Sequence, residues 1–170
     1  MATIEQRLKN PRDRVYLPEL LKHISKMESQ EEKVLILREF ANRNAECLGL
    51  AKDFMQFTWH PKIKWMLPEG TPPYRSDYPD YSLAPSTLSQ AIKKFKYLVE
   101  CSTMATSPIK REQIFIQLLE SMYTEDSKLM IMMKEQKIDQ RVYRGVTEDL
   151  FRAAFAGWLP PKENPTKDSV

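Results

Sequence analysis

The sequence predicts an all-α protein, a single compact domain of about six or seven helices. Three observations carry this. Glycine is scarce, at 4 of 170 residues, whereas turn-dense sheet proteins need it at left-handed turn positions. Strong helix formers (Leu, Met, Lys, Glu, Gln) are abundant. Apolar residues recur at helical spacing in seven stretches, several opened by a residue that can cap a helix. A chain of this length can bury a core, and 42% hydrophobic residues is ordinary for a folded domain.

Residues 1–16 are polar, with Arg7, Lys9, Pro11, Arg12 and Arg14, and read as a loosely held arm. Pro18 suits the first turn of a helix running to about Met27, with Leu17, Leu20, Leu21 and Ile24 on one face. Ser29 and Glu32 form a capping-box pattern. The helix they open runs to about Asn42, with a stripe of Val34, Leu37 and Ala41 widened by Leu35 and Phe40. A third helix covers about Ala45 to Phe57, with rows of Leu48, Ala51, Met55 and Leu50, Phe54, Phe57.

Residues 58–85 change character. They hold six of the twelve prolines together with Trp59, Trp65, Tyr74, Tyr78 and Tyr81. Proline breaks regular helix, and so many aromatics argue against a disordered linker. The stretch reads as an ordered loop across the helices, with one helical turn at 62–66. Ser86 then caps a fourth helix to about Cys101, with Leu88, Ile92, Phe95 and Val99 in register. Ser107 and Pro108 open a fifth helix ending near Met122. Thr124 caps a sixth and Thr147 a seventh, each followed by two carboxylates suited to a helix N-terminus. Leu150, Phe151, Ala154, Phe155 and Trp158 form the buried face of the seventh. Met122, Met130, Met132 and Met133, with Met104, read as core filling. The helical domain spans residues 17–161, and 162–170 read as a flexible tail.

Several function classes recede. The longest apolar run, Leu129 to Met133, is far too short for a membrane span, and the first residues have no apolar signal region. Cys47 and Cys101 stand alone and read as buried, reduced thiols. The expected location is cytoplasmic. His23 and His60 show no metal-ligand spacing. Asp77 and Asp80 sit in a Pro/Tyr loop, where turn capping is the commoner use of aspartate. No metal, cofactor or small-molecule substrate is expected. A net charge of +3 permits a nucleic-acid partner without requiring one.

Particular residues bear a resemblance. Ser29, Lys33, Ile36 and Leu37 open a helix; an aromatic helix end follows at Phe54 to Pro61; Leu88, Phe95 and Leu98 lie along a further helix. The join from Tyr123 to Lys137 comes next, and then Gly145, Thr147, Ala153, Ala154, Phe155 and Trp158-Leu159-Pro160. In order and spacing, over about residues 20–161, this resembles the N-terminal helical DNA-binding domain of tailed-phage ATP-dependent DNA ligases, in the form of a small stand-alone phage protein. The resemblance implies an all-helical domain lying on the DNA backbone along the minor groove. The catalytic domains have no counterpart: the nucleophilic lysine motif K-x-D-G is missing, and the chain contains no Asp-Gly. No catalytic residue is expected.

The nucleic-acid candidates are Lys93, Lys94 and Lys96 on the fourth helix and Lys110 and Arg111 opening the fifth. Lys134, Lys137, Arg141 and Arg144 continue the set toward the turn at Gly145 and Thr147. Cationic side chains bind DNA by displacing counterions from phosphates, and free amides at a helix start bind anions. The ligase family has a Gly-small-Ser turn before its closing helix. Here the turn is bulkier, so either Gly145 and Thr147 keep an anion site or Val142 and Tyr143 hold the backbone away. Interspersed Glu135 and Asp139 equally suit a plain solvated face. The leading expectation is a non-enzymatic accessory protein that grips the duplex DNA backbone with little base readout. The alternative is a phage protein-interaction adaptor or host-modulating factor that keeps the ligase-domain fold without binding DNA, docking on another phage or host protein through Trp65, Tyr74, Tyr78 and Tyr81.

Overall fold

A computed structural model describes residues 2–100 and 106–162. Among them are eight α-helices and one 3-10 helix, with no β-strand beyond two isolated bridges. The fold is all-α. No helix among the described residues is long and apolar enough to cross a membrane. The expectations for Cys101, Met104 and residues 163–170 lie outside the described residues.

The N-terminal stretch is folded, contrary to the loose arm expected. Helix α1 (Ile4–Lys9) is opened by a capping box between Thr3 and Gln6. Leu8 and Val15 are buried. Arg43, far along the chain, ties the segment down. Its guanidinium donates to the carbonyls of Leu8 at 3.1 Å, Arg7 at 3.0 Å and Asn10 at 2.6 Å, and also to that of Asp13. Arg7 adds a two-pronged bond to Glu19, at 2.8 and 2.9 Å. Arg43→Ala is expected to destabilise the protein by about 1–3 kcal/mol, with amide exchange accelerating in α1 before α4. Unchanged protection of α1 in hydrogen-exchange measurements would show that the anchor is incidental.

Helix α2 (Leu17–Ser25) buries Leu17, Leu20, Leu21 and Ile24, one face at 3.6-residue period. In α3 (Gln30–Ala41), Ser29 accepts a bond from the Glu32 amide, and Leu37, Phe40 and Ala41 face inward. Leu35 does not widen this stripe: two residues from Leu37, it points away and is 62% exposed. Helix α4 (Ala45–Trp59) is capped by Asn44 and buries Ala51, Phe54 and Met55, leaving Leu48 exposed.

The proline-rich loop is ordered, but without the helical turn expected at 62–66. Only a turn at 61–62 forms, closed by the Ile63 amide on His60 O. The stretch runs extended instead, with Trp65 bridged to Val99. The Met66 amide donates to Leu98 O at 2.8 Å and the Glu100 amide to Lys64 O at 2.7 Å. Trp65 Nε1 donates to Phe57 O at 2.9 Å.

The fourth predicted helix becomes two short pieces. Thr87, not Ser86, caps α5 (Leu88–Ala91), while the Ser86 amide donates to Ser121 O. From Ile92 to Tyr97 the chain tightens into a 3-10 helix. Its three-residue period buries Ile92, Phe95 and Leu98 in line. Val99, placed in the buried row by an α-helical reading, is only half-buried.

Helix α6 (Pro108–Glu120) starts as expected, with Ser107 as cap and Pro108 in its first turn. Helix α7 (Thr124–Lys134) begins one residue earlier than a Thr124 cap implies, because that hydroxyl donates to Tyr78 O instead. Gln136, at φ 56°, ends it in a Schellman arrangement, with Lys137 N bonded to Met132 O. Leu129, Met130 and Met133 are fully buried. Helix α8 (Glu148–Ala154) is capped by Thr147 at its start and by Arg38 at its end, through the carbonyls of Ala153 and Ala154. Helices α3, α4 and α8 pack together, and α7 lies between α2, α4, α5 and α6.

Candidate nucleic-acid interface

Lys93, Lys94 and Lys96 point to solvent because the 3-10 period turns Ile92, Phe95 and Leu98 inward. None of the three has a carboxylate partner among the described residues. Backbone bonds bring neighbours to them. Residues 64–66 pair with 98–100, and Arg111 Nε donates to Met66 O at 3.0 Å. The exposed side chain of Lys64 therefore stands near the end of the lysine row, and Lys110 is exposed in the first turn of α6. Glu100, exposed beside Lys64, thins its charge.

Two members of the expected set are otherwise engaged. Lys134 is buried. Its ammonium donates to the carbonyls of Pro68 at 2.9 Å and Gly70 at 2.6 Å and pairs with Glu135. That bond holds the Glu135 carboxyl below its ordinary range. A solvated lysine was expected here; the structure makes it the clamp between the loop and α7, because two inward carbonyls need a donor. Arg111 is half-buried and divides its guanidinium between Met66 O and Thr106 O. Lys137 remains exposed beyond the end of α7.

The turn before α8 is built differently from an anion cradle. The Gly145 amide donates to Gln140 Oε1 at 3.0 Å, and Gln140 Nε2 donates to the carbonyls of Ile138 and Val146. The Thr147 hydroxyl accepts from the Leu150 amide at 3.2 Å. Glu148 and Asp149 already occupy the first turn of α8, which disfavours a further anion. The glycine is required for another reason. Its φ is +78°, a backbone conformation that side-chain-bearing residues rarely adopt, while the Lys33 ammonium lying where a Cβ would go could swing aside. Tyr143 does not stand over the turn; it is a fully buried core residue, and only Val142 is exposed. Arg141 pairs with Asp139 at 3.1 Å and lowers that carboxyl's pKa. Arg144 is exposed.

The aromatic quartet is largely committed to packing. Trp65 lies edge-on to Phe95, with centroids 5.1 Å apart. Tyr81 stacks on Tyr16 at 3.4 Å and leans on Tyr123 at 4.0 Å. Tyr74 and Tyr78 are half-buried. Asp77 pairs with Arg75, and Asp80 accepts from the Ser82 amide. No cluster of potential metal ligands forms among the described residues.

A feature that the sequence reading missed is a cleft of about 730 Å³ between residues 11–17, the first half of α4 and the start of α5. Arg12, Arg14 and Lys93 stand on its walls, none with a carboxylate partner among the described residues. Glu46 and Asp53 stand on the α4 side, and burial pushes the Asp53 carboxyl up. Asp126 lines it as well, 2% exposed. Its Oδ1 accepts from the Tyr81 hydroxyl at 3.3 Å, and no donor reaches Oδ2 in hydrogen-bond geometry. Burial raises the Asp126 carboxyl to about 7, although the Leu88 amide and the Tyr81 hydroxyl pull the other way. Burial and this carboxylate together push the Tyr81 phenol far up. The only sequence signal was Asp126 in the first turn of a helix, which the helix dipole alone explains.

The fold and these surfaces define an all-helical domain with an exposed lysine row and a charged cleft. Residues 20–140 match the model of a family of unknown function, DUF6433. The chain belongs to that family. No curated protein and no solved structure gives a match.

Proposed function

We propose that this protein is a non-enzymatic DNA-binding accessory protein that holds duplex DNA by its phosphates. One observation carries the reading: Lys93, Lys94 and Lys96 are forced outward together without a carboxylate partner among the described residues, with exposed Lys64 near the end of their row. Unpaired lysines release counterions when they meet phosphates, whereas paired ones first give up a partner. The resemblance of residues 20–161 to the ligase DNA-binding domain supports the same reading. In this form the grip centres on the 3-10 helix rather than on the turn at 141–147, whose amide and hydroxyl are already bonded. Lys137 and Arg144 are peripheral contributors.

The test is a titration of labelled duplex at low and moderate ionic strength. Three phosphates neutralised give a log–log salt slope of roughly −2.7. Lys94→Glu with Lys96→Glu should weaken binding on unrelated duplexes alike and flatten that slope. Arg141→Glu with Arg144→Glu should do less, since Arg141 already serves Asp139. Absence of duplex binding at micromolar protein and low salt leaves the adaptor reading. In that case exposed Met66 and Ile109 are better docking candidates than the packed aromatic quartet.

A further inference from the structure

The cleft gathers charge of both signs that is not paired off within the protein. Arg12, Asp13 and Arg14 stand on its first wall, Glu46 and Asp53 on α4, and Lys93 just past α5. No salt bridge joins any of these six side chains to another group among the described residues. The other two charged residues of the lining are already committed. Arg43 serves four carbonyls, and Asp126 is buried and bonded to Tyr81. The open set is therefore three cations and three carboxylates. A nucleic-acid strand would bring its phosphates against Asp13, Glu46 and Asp53, and a metal ion has no cluster of ligands among the described residues. A ligand carrying both signs answers both halves. The main chain adds a second observation. Residues 14–16 of the first wall form neither helix nor turn. Neither the Arg14 nor the Val15 amide finds an acceptor among the described residues, while the neighbouring amides of Arg12, Asp13 and Tyr16 do. An extended chain laid along such a stretch gains main-chain bonds, and its side chains supply specificity. Half-buried Leu50 gives it an apolar contact, and about 730 Å³ lies in the range of binding clefts.

We propose that this cleft binds an extended segment of a partner protein that carries both acidic and basic residues. The segment's acidic side chains meet Arg12, Arg14 and Lys93, its basic side chains meet Asp13, Glu46 and Asp53, and its main chain accepts from the amides of Arg14 and Val15. The proposal does not rest on the duplex reading, because Lys94 and Lys96 do not line the cleft.

The experiment selects binders of the whole protein from a displayed library of random short peptides. Enriched peptides should carry acidic and basic residues together, and the tightest, made synthetically with a fluorescent label, is titrated by anisotropy. Arg14→Glu with Lys93→Glu, and separately Glu46→Lys, all at exposed positions, should each weaken it at least about tenfold, because like charges brought face to face oppose docking. A peptide with the matching charges reversed should regain affinity for the variant, which damage to the fold would not allow. On binding, the Arg14 and Val15 amides should become protected from hydrogen exchange. Lys94→Glu with Lys96→Glu should leave peptide binding unchanged whether or not it abolishes duplex binding. Enrichment of no peptide, enrichment of one sign of charge alone, or indifference to the charge reversals would overturn the proposal. So would tighter binding of a short single-stranded oligonucleotide in competition with the peptide, which would make the cleft a nucleic-acid site. Self-association in sedimentation that is lost in Glu46→Lys would overturn it too, by making the occupant a second copy of this chain.

Discussion

Phe151→Ala is expected to destabilise the protein by about 3–5 kcal/mol, the range for emptying a fully buried aromatic site. Phe151 has no exposure. Its ring packs at 5.3 Å on Phe54 and 5.1 Å on Trp59, both from α4, and at 6.1 Å on Phe155. Those rings are themselves fixed by helix packing, so the space cannot collapse cheaply. Helix α8 is only seven residues long and would not stand alone. It is helical because Phe151, Leu150 and Ala154 bury against α3 and α4, with Arg38 closing its final carbonyls. Phe155→Ala is expected to cost less. That ring lies past the helix end and stacks on half-buried Trp158 at 4.1 Å. Urea unfolding followed by circular dichroism measures both. A loss below about 1 kcal/mol for Phe151→Ala would mean that α8 is peripheral.

The helices were legible wherever one amphipathic face coincided with a local cap. Ser29, Asn44, Ser107 and Thr147 each hold a backbone amide at a helix start, and each is a short-range device that sequence displays. Helix α1 was hidden because its stability is imported from Arg43, thirty-odd residues away. The 3-10 helix was hidden because Leu88, Ile92, Phe95 and Val99 fit an α-helical period as well as Ile92, Phe95 and Leu98 fit a tighter one. At the candidate interface, sequence could place lysines on a polar side but could not show which ammonium groups answer inward carbonyls. Lys134 therefore looked no different from Lys137. The turn at Gly145 misled for a related reason. A glycine beside a threonine suggests free amides, yet here Gln140 reaches across to bond the amide, and the missing Cβ makes room for Lys33. The cleft was the least visible feature, since its walls come from three separate stretches and its buried carboxylate from a fourth.

Asp126→Asn is expected to make the protein more stable above neutral pH and to remove a pH dependence that the native chain carries. The Asp126 carboxyl titrates near 7 when folded, chiefly because burial disfavours its charge. Unfolded, an aspartate titrates near 3.9. Between these values the folded state holds a proton that the unfolded state has released, so folding stability falls as pH rises. The contribution is fully present below about 4 and lost once pH passes through about 7. The part lost between pH 5 and 8 is about 2–3 kcal/mol. The groups facing the carboxyl are the Tyr81 hydroxyl from the loop, the Leu88 amide from α5 and Glu125 on its own helix. The first two favour the ionised form and the third opposes it, and all three are already reflected in the value near 7. Asparagine keeps the shape and can still bond Tyr81, but it carries no charge to desolvate. The stability difference between Asp126→Asn and the native protein should therefore grow by about 2–3 kcal/mol from pH 5 to pH 8, with other titrating groups cancelling in the comparison. Denaturant melts of both proteins across that range decide it, and a difference that does not change with pH would show that the carboxyl ionises in the fold as freely as in water. If the slope is found, the native chain keeps at this position a charge that weakens its own fold.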